Sequence, residues 1–321
     1  MAPGAHFPME IDLNRTRWQG VFPAVTTKFH EDESLDHEEM RRHFAYLIDN
    51  GVHGMVTCGS LGEASTLSMD EKLSVARTAV DVSAGRVPVL ANVSETSTRD
   101  ALRYVKAAVD LGVDGFMVMP SVLYVADARE AMQNVRAIAE AARKPCMIYN
   151  NPVAYRVDLK PEHMAQLADC EWLAAIKEST DDIRRITDLR NALGTRYQLF
   201  IGVDDLSFEA LALGADGLLA GLVTAFPRET VALYDLMKAG EWAQALKLYQ
   251  WFTPLLHLDV STKLVQNIKL AETLAGVGNE FVRRPRLPLA GEERARVEAI
   301  VGAALERRPE EYRSRPPTVA R

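Results

Sequence analysis

Lys177 stands near the carboxyl end of the run Trp172-Leu173-Ala174-Ala175-Ile176-Lys177-Glu178-Ser179, a short apolar stretch typical of a strand buried on both faces of a parallel sheet. A lysine there either snorkels at the edge of the core or is an amine held in a dry pocket, where desolvation lowers its pKa. The second kind attacks a carbonyl and forms a Schiff base. That chemistry also needs a proton relay near neutral pH and donors for the carboxylate of a 2-oxo acid. Tyr149, in Tyr149-Asn150-Asn151-Pro152, offers a phenol one strand away. In Gly59-Ser60-Leu61-Gly62-Glu63 the glycines let backbone amides approach an anion and Ser60 adds a hydroxyl. A fourth segment, Gly202-Val203-Asp204-Asp205, closes the following strand and completes the candidate set. Each has a plainer structural explanation: the glycines as a turn, Tyr149 as a core aromatic, the aspartates as caps of the next helix.

These residues share a mouth only if the strands beneath them are neighbours. Strands are expected at 21–29, 54–59, 87–94, 115–120, 145–151, 172–178, 197–203 and 217–222. Helices are expected at 37–50, 70–83, 98–111, 128–142, 161–169, 181–192 and 206–213. Ser68 and Glu71 have capping-box spacing, and Pro161 suits a first helical turn. Eight βα units with short apolar strands point to a closed α/β (β/α)8 TIM barrel, whose functional residues gather at the strand carboxyl ends. The turns Asn50-Gly51-Val52-His53-Gly54, Leu111-Gly112-Val113-Asp114-Gly115 and Leu213-Gly214-Ala215-Asp216-Gly217 form a weak internal repeat, also readable as glycine helix caps. Residues 1–17 read as an N-terminal arm and 18–226 as the barrel. Residues 227–306 read as the final barrel helix and a C-terminal helical extension, with helices at 228–239, 241–252, 261–275 and 291–306. Residues 307–321 read as a disordered tail. The extra helices are expected to cover the barrel or build a subunit contact.

The 321 residues are 48% hydrophobic and 25% charged, which fits a globular chain with a large core. A net charge of -7, with no clustered Lys/Arg run in the body of the chain, argues against a nucleic-acid partner. Cys58, Cys146 and Cys170 lie far apart in apolar segments and read as buried thiols in a reducing compartment. No apolar stretch reaches membrane-spanning length, so no membrane partner is expected and the cytoplasm is the default location. The scattered histidines suggest no metal site, and no dinucleotide fingerprint follows a strand.

The segments at 59–63, 149–152 and 176–179, in that order and spacing, resemble the hallmark motifs of the dihydrodipicolinate synthase and N-acetylneuraminate lyase superfamily, over roughly residues 18 to 300. The resemblance implies a barrel with a helical carboxyl extension, usually a homotetramer, and a covalent Schiff base with a pyruvate-like substrate without further cofactor. By it Lys177 is the Schiff-base lysine and Tyr149 the proton-transfer tyrosine, while the backbone amides of Ser60 and Leu61 bind the 2-oxo-acid carboxylate. Gly202, Asp204 and Asp205 are counted with the substrate-binding residues.

Departures from the family pattern narrow the choice. The synthase of lysine biosynthesis carries an arginine where this chain has Ala154, a threonine pair where it has Ser60-Leu61, and a tyrosine where it has Val122. A lysine-biosynthetic role is disfavoured: Arg156, two residues on, is a poor substitute for the missing arginine, and the hydroxyl relay reads as broken unless Tyr124 reaches in. Leu61, Val122 and Val153 suit a small substrate better than the polyhydroxylated chain of N-acetylneuraminate. The fuller pattern, with Cys58, Leu206, Thr253-Pro254-Leu255-Leu256-His257-Leu258-Asp259 and Lys263-Leu264-Val265-Gln266, is most similar to bacterial 1-pyrroline-4-hydroxy-2-carboxylate deaminases of hydroxyproline breakdown. These take a cyclic imino acid to 2,5-dioxopentanoate and ammonia. A 2-keto-3-deoxy sugar acid aldolase or dehydratase uses the same Schiff base and is the nearest rival. A non-catalytic barrel that binds a small acid is the remote one.

Overall fold

A computed structural model describes residues 18–312. Among them eight parallel strands alternate with helices: β1 (Gly20–Pro23), β2 (Met55–Thr57), β3 (Val89–Val93), β4 (Gly115–Val118), β5 (Cys146–Asn150), β6 (Leu173–Glu178), β7 (Gln198–Ile201) and β8 (Gly217–Ala220). The helices between them are α1 (His37–Asp49), α2 (Met69–Ser83), α3 (Thr98–Asp110), α4 (Ala128–Ala142), α5 (Pro152–Tyr155), α6 (Pro161–Gln166), α7 (Arg184–Leu193) and α8 (Ser207–Ala212). Strands pair in the order β1-β8-β7-β6-β5-β4-β3-β2. A single bridge, Ala24 to Val56, closes the ring between β1 and β2, with Val25 N–H donating to the Val56 carbonyl at 3.0 Å. The expected (β/α)8 TIM barrel is the fold.

Local chemistry sets the helix ends. Asp36, Ser68, Ser97 and Asp127 each accept a backbone N–H of the first turn, and at Ser68 and Asp127 a glutamate three residues on returns the bond. The three repeat turns after α1, α3 and α8 hold Gly51, Gly112 and Gly214 at φ of 88°, 91° and 93°, so the glycines are required by the left-handed backbone. Inside the barrel Phe22 of β1 meets Phe200 of β7 edge to face at 5.2 Å, closing the core below the site.

After β8 come α9 (Pro227–Lys238), α10 (Trp242–Leu256), α11 (Leu264–Leu274) and α12 (Gly291–Glu306). Some boundaries differ from the sequence reading. β1 stops at Pro23, because the chain beyond it turns away to carry Thr26 and Lys28 into contact with α11. Helix α10 runs past its expected end at 252 and through Pro254 to Leu256, its apolar face buried at Leu248, Phe252 and Leu255. The tail expected from 307 onward begins with an anchor: Arg308 is 7% exposed and pairs with buried Glu229, and Glu310–Tyr312 forms a 3₁₀ turn. The arm at 1–17 and residues 313–321 lie outside the described residues. Among the described residues no helix is long and apolar enough to cross a membrane.

Candidate active site

The register of β5 and β6 places the two principal candidates side by side. Tyr149 is paired with Lys177, and Lys177 in turn with Phe200 on β7. The β5–β6 register slips by one residue, from Cys146 opposite Leu173 to Met147 opposite Ala175. Without that bulge Tyr149 would lie opposite Ile176, on the wrong phase of the pleat. The slip aligns phenol and amine. Lys177 Nζ lies 4.2 Å from the centre of the Tyr149 ring, and both residues are 6% exposed. Burial brings the Lys177 amine down from its ordinary 10.5 to about 8, against the upward pull of Asp259 and Asp204. Burial likewise pushes the Tyr149 phenol up, against the Asn151 amide that donates to it at 2.9 Å. An amine titrating near 8 is available as a nucleophile at neutral pH.

Gly202 follows β7, and a side chain there would put its Cβ 2.3 Å from Lys177 Cε and 2.1 Å from Ser179 Oγ. The residue expected to bind substrate thus makes room for the lysine to lie across the barrel. Behind the pair, Glu178 faces the other way. Its carboxylate accepts from Asn150 Nδ2 at 3.1 Å and Thr180 N–H at 2.9 Å, tying together the ends of β5 and β6.

Across the mouth lies the loop after β2. Ser60 and Leu61 donate their backbone N–H groups to no other group among the described residues, so both amides are available to a carboxylate. Leu61 is buried and Ser60 half-buried. The loop is bent through left-handed φ at two non-glycine residues, Cys58 at 55° and Glu63 at 56°. An ion pair holds the bend: Glu63 Oε1 accepts from Lys269 Nζ of α11 at 2.6 Å and its other oxygen from Arg283 N–H at 3.1 Å, with both charged side chains 0% exposed. A second buried pair, Lys28 with Glu272, lies one turn along α11, and Thr26 donates to Glu272 at 2.8 Å. The extension therefore positions the loop from beneath. Lys269→Met, which leaves Glu63 buried without its principal cation, is expected to cost about 3–5 kcal/mol in urea unfolding and to raise the KM for a 2-oxo acid.

The hydroxyl relay that reads as broken from Leu61 and Val122 exists in another form. Ser60 Oγ is 2.5 Å from the hydroxyl of Tyr155, at the end of the one-turn helix α5, and the Tyr155 ring meets that of Tyr149 edge on at 6.0 Å. Ser60 also lies within hydrogen-bonding reach of the Tyr149 phenol. Tyr155 is the residue the sequence reading missed. Its signal was Pro152 after Asn151, an N-cap followed by proline that starts a helical turn. Arg156, one residue on, is exposed, as are Ala154 and Val153. Tyr124 is 56% exposed beside a cavity lined by Ser97, Thr98, Ser121 and Asn134, none of them a site residue.

The aspartates do not point freely into the mouth. Asp204 is 2% exposed and accepts from the backbone N–H groups of Gly221 at 3.0 Å and Leu222 at 2.7 Å. Asp205 pairs with His257 Nδ1 at 2.8 Å, and its carbonyl accepts from the Tyr249 hydroxyl. Among the described residues no group of three or more His, Cys, Asp or Glu is placed to hold a metal ion.

Residues 17–304 match the model of the dihydrodipicolinate synthetase family. The chain is 32% identical over 288 residues to a 4-hydroxy-tetrahydrodipicolinate synthase of Pelobacter propionicus, covering 88% of this chain and 98% of that one. Among solved structures it is similar to dihydrodipicolinate synthase from Aquifex aeolicus, with a TM-score of 0.85 and 26% identity over 89% of this chain and 98% of that one. It is equally similar to YagE, a prophage protein of the same family from E. coli K12 in complex with pyruvate, with a TM-score of 0.85, 27% identity and coverage of 89% and 98%.

Proposed function

The chain belongs to the dihydrodipicolinate synthetase family, whose members are Schiff-base lyases, and on that premise we propose that it deaminates 1-pyrroline-4-hydroxy-2-carboxylate to 2,5-dioxopentanoate and ammonia. The observation that carries the Schiff base is the Lys177 amine, 4.2 Å over the Tyr149 ring in a dry mouth and titrating near 8. No metal or organic cofactor takes part in the proposed scheme.

Lys177 adds to C2 of the cyclic imine, which enters protonated at N1, while the amides of Ser60 and Leu61 hold the carboxylate. The C2–N1 bond breaks as the Lys177 nitrogen passes its proton to N1, leaving a protonated imine on the lysine and a free amine on C5. Loss of a C3 proton gives an enamine, which expels the C4 hydroxyl as water. Tyr149 takes the C3 proton as its own phenol proton passes along Ser60 and Tyr155 toward solvent, and the reverse shift along the same hydroxyls delivers a proton to the leaving hydroxyl. Loss of a C5 proton and reprotonation at carbon convert the C5 amine into an imine. Hydrolysis there releases ammonia, and hydrolysis at C2 frees Lys177. The net change is addition of one water and loss of one ammonia.

Two features favour this reading over its rivals. Ala154 offers no cation where the lysine-biosynthetic synthase is expected to grip a second carboxylate, and the Arg156 side chain two residues on is exposed to solvent. The polyhydroxylated chain of a sugar acid needs free acceptors, yet Asp204 is occupied by two backbone amides and Asp205 by His257. The reading includes a cytoplasmic homotetramer. Its support is an exposed apolar run after β4, Val122 to Val125, with Leu123 73% exposed, and a second face on α10 at Trp242 and Leu246. Incubation with the pyrroline substrate should release one ammonia per turnover. Cleavage of 2-keto-3-deoxy sugar acids to pyruvate, with no ammonia from the pyrroline, would assign the protein to the aldolases.

A further inference from the structure

Beside Lys177 lie two carboxyl groups from separate elements, neither of which the scheme above employs. Asp204 follows β7, and both its oxygens accept from the N–H of Gly221, at 3.0 and 3.2 Å. Asp259, in the turn between α10 and α11, lies over the same glycine: a Cβ built at Gly221 would sit 2.3 Å from Asp259 Oδ1. The two carboxyls converge on one residue and contact each other at hydrogen-bonding range. Two ionised carboxylates repel at that range, whereas a carboxylic acid and a carboxylate share a proton and attract. Asp204 is 2% exposed and Asp259 half-buried. The other ionisable groups facing the pair are Lys177 from β6, Tyr149 from β5, and Asp205, which is itself paired with exposed His257.

We propose that Asp204 and Asp259 share one proton, and that the single negative charge left on them is the counter-ion of the protonated imine formed on Lys177. This rests on the Schiff-base reading. A buried cation without a counter-charge is costly, so the imine on a lysine 6% exposed needs one. Two negative charges would hold the free amine as an ammonium and block attack. One charge serves both states: burial still frees the amine, and the imine that replaces it is neutralised. The shared proton stays on the pair throughout, so no bond to substrate involves it. Asp204 and Asp259 are thus positioning residues acting through Lys177.

The charge on the pair can be counted from the acid limb of the kcat/KM profile, where activity rises with pH as Lys177 loses its proton. Asp259→Asn leaves Asp204 ionised, so the charge stays at one and the limb stays where the wild type has it. Asp204→Asn with Asp259→Asn removes the charge. The Lys177 pKa then falls, the limb moves about 1–3 units toward acid, and kcat drops about tenfold for each unit because the imine loses the same stabilisation. A nucleophile made easier to free in a slower enzyme is not the signature of general damage to the fold. A limb that already moves in Asp259→Asn means two charges on the pair, and one that does not move in the double variant means none; either overturns the proposal. If the double variant does not fold, infrared difference spectra of the wild type against Asp259→Asn decide: a protonated-carboxyl band present only in the wild type is expected, and its absence overturns the shared proton. Borohydride trapping on wild-type Lys177 separates the two levels. An adduct with a contrary limb removes the counter-ion and leaves the Schiff base, while the lack of any adduct overturns both.

Discussion

Lys177→Ala is expected to lose turnover by on the order of 10⁴-fold or more, since no other amine is placed to form the covalent intermediate and the remaining groups act only on it. Among the described residues the other buried lysines are committed: Lys28 to Glu272, Lys269 to Glu63 and Lys72 to Glu95. In the wild type, kcat/KM should rise with pH through about 8. The sign follows from burial, which brings the amine down from 10.5 to about 8, so that below this the lysine is protonated and cannot attack. Steady-state rates on the pyrroline, with circular dichroism to verify the fold of the variant, measure the effect. Turnover of Lys177→Ala near the wild-type rate would dismiss the covalent scheme.

Tyr149→Phe is expected to lower kcat by about 10² to 10⁴, the range for a general acid–base group. The substitution retains the ring that packs against Lys177 and against Tyr155, and removes only the hydroxyl that Asn151 and Ser60 address. KM should change far less, because the carboxylate is held by the amides of Ser60 and Leu61. Tyr155→Phe, one hydroxyl further from Lys177, should cost less than Tyr149→Phe. Equal losses would make Tyr155 the proton-transfer residue, and an unchanged kcat in Tyr149→Phe would move the shuttle elsewhere.

The barrel was legible in the sequence because each of its strands is a short apolar run followed by a helix with helical spacing, and because capping residues and glycines mark the turns. Tyr149 and Lys177 were legible as a pair for the same reason: both stand near the ends of consecutive strands. What the sequence could not convey was phase. A residue count gives no sign that β6 carries one extra residue opposite the Cys146–Met147 step, and that bulge is what sets phenol opposite amine. Burial of charge was equally hidden. Lys269 and Glu272 have the i, i+3 spacing of an exposed helical ion pair, yet each reaches instead to a different partner, Glu63 and Lys28, inside the fold. Asp204 and Asp205 read as groups for substrate because they close a strand, but a carboxylate there can equally accept the amides of the neighbouring turn, as Asp204 does. Tyr155 escaped notice because a single helical turn of four residues is too short for periodicity to reveal.

The central claim is a covalent imine on one lysine, and reduction with borohydride tests it most directly. The protein is incubated with pyruvate or with 1-pyrroline-4-hydroxy-2-carboxylate, reduced, weighed intact and mapped by peptide. The account predicts a mass increase equal to the reduced adduct with either ligand, located on Lys177, and ammonia from the pyrroline alone. An adduct on another lysine, or no adduct with either ligand, would contradict it.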